Sequence, residues 1–96
     1  DDCRESPAIR VINVLRKKGA EVLFYDPLVR KYRDKETVYS GQPSLTEELL
    51  ESVDITVITT AHSCVDYDFV QQHSDIVFDT RNAMRDVKDR SNIVLL

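Results

Sequence analysis

Glycine is scarce in this chain: Gly19 and Gly41 are the only two among 96 residues. A loop that cradles a pyrophosphate needs clustered glycines for its tight turn and its close backbone approach, so a dinucleotide-binding fingerprint is absent. Cysteine is scarce too. Cys3 and Cys64 lie too far apart for a metal-ligand spacing. With no export signal at the N-terminus, a reduced pair is expected in a cytoplasmic setting, although a disulfide remains compatible with the sequence. No apolar run exceeds a few residues, which excludes a membrane-spanning helix. Positive charge is in deficit, with 13 Lys and Arg against 17 Asp and Glu and a net charge of −4. That balance argues against nucleic acid, whose affinity comes from neutralised phosphates. It does not exclude a small anion, which needs one or two well-placed cations. There is no initiator Met, and the chain is expected to be a fragment of a longer protein.

What remains is ordinary for a globular domain: 42% hydrophobic and 31% charged residues. The length suits one domain with a modest core.

Ser6-Pro7 suits a helix start, with Ser at the N-cap and Pro at the first helical position. Ala8, Val11, Ile12 and Leu15 follow at helical spacing, Arg16, Lys17 and Lys18 fill the last turn, and Gly19 suits the C-cap. Residues 20–25 (AEVLFY) read as a strand ended by the turn pair Asp26-Pro27. Residues 28–42 are polar and irregular, with a short strand at Thr37-Val38-Tyr39. The Ser44-Leu45-Thr46-Glu47 capping box predicts a helix over 45–52. Residues 55–59 (ITVIT) read as a buried strand, and Asp66 caps a short helix through Tyr67, Phe69 and Val70. Residues 76–78 form a further strand, 82–91 are polar and partly helical, and 93–96 (IVLL) close with a strand. This alternation predicts an α/β fold: a Rossmann-like open parallel sheet with helices on both faces, its first strand upstream of residue 1.

In such sheets, ligands bind beyond the C-terminal ends of the strands. Arg4, beside a helix N-terminus, could grip an anion or could pair with Asp1, Asp2 or Glu5. Arg81 leaves the end of a buried strand, its base held and its head toward the crevice; the alternative is an ion pair with Asp79 or Asp86. Asp26 stands where dinucleotide folds bind ribose, but an Asp-Pro turn is the simpler reading. His62 follows a strand and reads as a loop hydrogen-bonder. His73 at a polar helix end has no evident role. Arg30, Lys31, Arg33 and Lys35 read as a solvated basic run.

Several blocks now match a family. Asp1-Asp2-Cys3-Arg4-Glu5-Ser6-Pro7 resembles the D-D-x-R-E-S-P stretch of the UDP-glucose/GDP-mannose dehydrogenase family. Lys18-Gly19-Ala20-Glu21-Val22 with Tyr25-Asp26-Pro27, Val53-Asp54 with the ITVITTAHS run, and Phe78-Asp79-Thr80-Arg81-Asn82 resemble later blocks in family order. Val53 departs from the family's usual alanine. The resemblance implies a UDP-binding domain, residues 1–96, of an NAD-dependent dehydrogenase that oxidises a UDP-sugar C6 hydroxyl to a carboxylate. It implies that Arg81, with Asn82, reaches the nucleotide and that Arg4 with Ser6 shapes the phosphate end. It implies NAD bound by an N-terminal domain not in this sequence, and a homodimer or higher homo-oligomer. The family's catalytic cysteine and lysine lie before this domain, so no catalytic residue and no metal ligand is expected here. The Thr-Ala-His-Ser-Cys-Val-Asp-Tyr run and Asp79-Thr80-Arg81-Asn82-Ala83 most resemble the branch acting on UDP-N-acetylhexosamines. Two other readings stand beside this one: a flavodoxin-like ligand-binding or regulatory module, and a pure interaction domain. Thr59-Thr60 in place of an aspartate counts against a phosphoreceiver, and selective nucleotide binding separates all three.

Overall fold

The computed structural model describes residues 7–34 and 37–96. The chain divides into two compact units, one ending at Ser44 and one spanning Leu45–Leu96, and each has its own core.

The first unit begins with helix α1, Pro7–Lys17. Gly19 ends it in the left-handed region at φ 93°. Its N–H donates to Arg16 O at 3.0 Å and the Ala20 N–H donates to Leu15 O at 3.0 Å, the paired bonds of a Schellman cap. Only glycine enters this conformation without strain from a Cβ. The helix buries Ile9 and Ile12, whereas Val11 is exposed, so the inward stripe is rotated from the face expected around Ala8 and Val11. Strands β1 (Lys31–Asp34) and β2 (Thr37–Ser40) form an antiparallel hairpin with Tyr32 opposite Tyr39. Those two rings stack at 5.2 Å, Phe24 tilts against Tyr32 at 5.3 Å, and the Arg16 guanidinium lies 3.9 Å from the Tyr39 ring centre. Arg16 also donates from Nη1 to Tyr32 Oη, so it is part of the packing and not only a complement to the helix dipole.

In the second unit, helix α2 (Glu47–Ser52) and helix α3 (Tyr67–His73) accompany three short strands: β3 (Thr56–Ile58), β4 (Val77–Asp79) and β5 (Ile93–Leu95). The strands form a parallel sheet in the order β3-β4-β5, with Ile58 opposite Asp79 and Asp79 opposite Leu95. The core joins Leu50, Ile58, Val70, Val77, Ala83, Met84 and Val87, and Val77 and Met84 are fully buried. Asp66 caps α3 by accepting from Phe69 N. Gln71 and Ser74 are buried, and Asn92 serves both: its side chain donates to Gln71 O and Ser74 O and accepts from Gln71 Nε2. Among the described residues, no buried side-chain polar atom lacks a partner. No helix there is long and apolar enough to cross a membrane.

An α/β chain with a parallel sheet flanked by helices is what the sequence predicts; its details differ in four places. Residues 20–25 form no strand, although burial still alternates from half-buried Val22 through exposed Leu23 to half-buried Phe24. A ladder needs a neighbouring strand, and in this unit β1 and β2 satisfy each other. The bond recorded for this stretch beyond the helix cap runs from Gln42 N to Phe24 O. Lys31–Asp34, expected to be irregular, is a strand because Thr37–Ser40 supplies its partner. Helix α2 starts two residues late: Thr46, not Ser44, is its cap, accepting from Leu49 N at 3.1 Å. Residues 82–91 form turns, not helix, and Asn82 at φ 56° turns the chain through the left-handed region at the point where a helix would begin.

Candidate functional site

Strand β4 is the middle strand of the parallel sheet, and Asp79 is its last residue. The side chain is fully buried. Its carboxylate accepts from Arg81 N at 3.0 Å and Ala83 N at 3.1 Å through Oδ1, and from Met84 N at 2.8 Å through Oδ2. Burial opposes its ionisation. The N–H groups of Met84, Arg81, Ala83 and Asn82 outweigh that and hold the carboxyl below its ordinary value. Asn82 adopts φ 56°, a left-handed conformation that asparagine accepts more readily than most residues. Thr80 fastens the same loop to strand β3: its N–H and its hydroxyl both donate to Ile58 O, at 3.1 and 2.6 Å. Beyond the turn, Arg90 Nη1 donates to Met84 O at 2.7 Å.

Arg81 therefore sits on a clamped backbone while its side chain is exposed. Its guanidinium makes no hydrogen bond or ion pair with any described residue. The expected alternative, a pair with Asp79, is excluded by geometry, because that carboxylate is buried and spent on backbone N–H groups. Asn82 is also exposed, and its carbonyl accepts from Arg85 Nη1. The register of Ile58 opposite Asp79 brings the loop after β3 beside this one. That loop is pinned where His62 N donates to Tyr67 Oη at 2.8 Å, and His62 is half-buried. Two adjacent strand ends thus present Thr60, His62, Arg81 and Asn82, a polar rim with one exposed cation suited to an anionic ligand.

Other sequence candidates fall elsewhere. Arg4, Ser6 and Cys3 lie outside the described residues. Asp26 makes the Asp-Pro turn, accepting from Leu28 N at 2.8 Å and Val29 N at 3.2 Å. The same turn borders a cavity of about 190 Å³ lined by Tyr25, Pro27, Arg30 and Gln42, smaller than most small-molecule sites. Arg30, Lys31 and Arg33 are exposed, as a solvated run should be. Cys64 is an exposed free thiol. His73 is less idle than expected. Its Nδ1 lies 3.0 Å from Glu51 and 3.5 Å from Glu47, and its ring packs on Phe69 at 4.6 Å. His73, Glu47 and Glu51 form the one group of potential metal ligands among the described residues, and the hydrogen bond between His73 Nδ1 and Glu51 accounts for its geometry.

Reading the sequence missed Asp79 and Thr80 as builders of the site. The signal available was an aspartate closing a strand ahead of a turn, a position where Asp caps free N–H groups.

The model of the UDP-glucose/GDP-mannose dehydrogenase family, UDP binding domain, matches residues 1–86. The chain belongs to this family. A relative, the UDP-N-acetyl-D-mannosamine dehydrogenase of Pyrococcus horikoshii, is 30% identical over 91 residues, covering 90% of this chain and 19% of its own length. The chain thus spans about one fifth of that dehydrogenase. No solved structure matches. The Phe78–Asn82 loop and the ITVITTAHS run both fall inside the stretch matched to the family's UDP-binding domain.

Proposed function

We propose that this domain holds the UDP moiety of a nucleotide sugar for an NAD-dependent 6-dehydrogenase, with Arg81 and Asn82 contacting the nucleotide. The observation that carries the reading is the Arg81 guanidinium, exposed and without a described partner, on a loop fixed by a buried carboxylate at the end of the central parallel strand. A guanidinium presents a planar fork of donors that matches phosphate oxygens two at a time. A fork already fixed at its base loses less freedom on binding. Arg4 and Ser6, which precede the first helix in sequence, are proposed to complete the phosphate end. NAD would be bound by a domain outside this sequence, and oxidation of the sugar C6 hydroxyl to the carboxylate would occur there. The residues presented here bind and orient; none is proposed to break a bond. The relative's name favours a UDP-N-acetylhexosamine as the sugar. A homo-oligomer in the cytoplasm fits the reading.

Replacing Arg81 tests it. Arg81→Ala should weaken UDP binding at least tenfold while changing the unfolding free energy by less than about 0.5 kcal/mol, because the side chain is exposed and supports no described residue. Unchanged affinity in a folded variant would remove Arg81 from the site.

A further inference from the structure

We infer that Asp79 and Thr80 are positioning residues for the nucleotide site, acting through Arg81. The inference rests on the reading of Arg81 given above and adds the device that keeps that arginine available. A carboxylate two residues before an arginine is its nearest natural partner, and an Asp79–Arg81 ion pair would neutralise the cation a phosphate needs. Two features prevent it. Asp79 points into the core and is fully buried, so the guanidinium cannot reach it without being desolvated. Its oxygens are also occupied by the N–H groups of Arg81, Ala83 and Met84. The anion thus acts on the Arg81 backbone and is withheld from its side chain.

The same bonds set the direction in which residue 81 leaves the sheet. Three N–H groups converging on one carboxylate bend the chain tightly after β4, and Asn82 takes up the bend at φ 56°. Thr80 fixes the other side of the turn through its two bonds to Ile58 O, so the loop cannot swing away from strand β3. With both restraints, few backbone states are open to Arg81, and little freedom is lost when a ligand arrives. Without them, the loop samples states in which the guanidinium points elsewhere, and affinity falls by the fraction still competent.

A merely structural role would lower stability and leave the energetics of Arg81 alone. Coupling separates the two. The experiment is a double-mutant cycle on UDP affinity, measured by calorimetry, with Asp79→Asn and Arg81→Ala singly and together. Asp79→Asn keeps the size, loses the charge and puts an amide N–H against backbone donors. It should weaken UDP binding at least tenfold in the parent chain and less than threefold when Arg81 is already alanine. If Asp79→Asn does not fold, Thr80→Val serves in the same cycle. It removes the hydroxyl bond but leaves Ile58 O its bond from Thr80 N, and a threefold or greater loss should likewise vanish in the Arg81→Ala background. Equal losses in both backgrounds, or no loss in either, would overturn the inference while leaving the UDP assignment intact. Absence of UDP binding by the folded parent chain would instead overturn the functional reading and this inference with it.

Discussion

At the scale of single residues, the candidate site is a division of labour within four positions. Asp79 and Thr80 face inward and build, while Arg81 and Asn82 face outward. Arg81 was legible in the sequence because an arginine leaving a buried strand stands out. Asp79 was not, because whether an aspartate pairs with a side chain or caps a backbone depends on which way the chain turns. Asp79 also makes a prediction about acid. Its carboxyl is held below its ordinary value in the fold, so its contribution is fully present above the unfolded value. That contribution is lost as pH falls through the lower folded value. Asp79→Asn should cost about 1.5–3 kcal/mol near neutral pH, the worth of hydrogen bonds to a charged group, and the variant should lose less further stability on acidification than the parent. Urea unfolding from pH 7 to pH 3 measures both. Parallel pH profiles for the two chains would show that the carboxylate is not the source.

At the scale of elements, local signals did well where they are self-sufficient. Gly19 ends α1, Asp66 starts α3, and the apolar runs at 55–59 and 93–96 contain strands β3 and β5. Signals that depend on a distant partner did less well. Residues 20–25 have strand composition and strand-like alternation of burial but no ladder, since strand formation needs a neighbour and helix formation does not. What holds this stretch is packing, and Gly41 shows where. A Cβ built on Gly41 would lie 2.7 Å from the Phe24 ring, which itself packs on Tyr32. Gly41→Ala should therefore push the ring off its neighbour and destabilise the first unit by about 1–3 kcal/mol. Near-ultraviolet circular dichroism of the tyrosines, followed through thermal unfolding, would register it. A variant with unchanged aromatic signal and midpoint would mean that the ring is free to move aside.

At the scale of the whole molecule, the net charge of −4 and the near-absence of glycine excluded more than they identified. The chain was placed by motifs spread over most of its length and in a fixed order, and the family match over residues 1–86 agrees with them. The fold follows from alternating elements, but the proposed function depends on a loop whose geometry no composition or periodicity encodes. The central claim is that this loop, with its partner after β3, takes a uridine nucleotide. Titration calorimetry of UDP into the protein, with AMP as the control, tests that claim most directly. The account predicts saturable one-to-one uptake of UDP, with AMP at least tenfold weaker and the heat lost in Arg81→Ala. Equal uptake of UDP and AMP, or none by a chain shown to be folded, would contradict it.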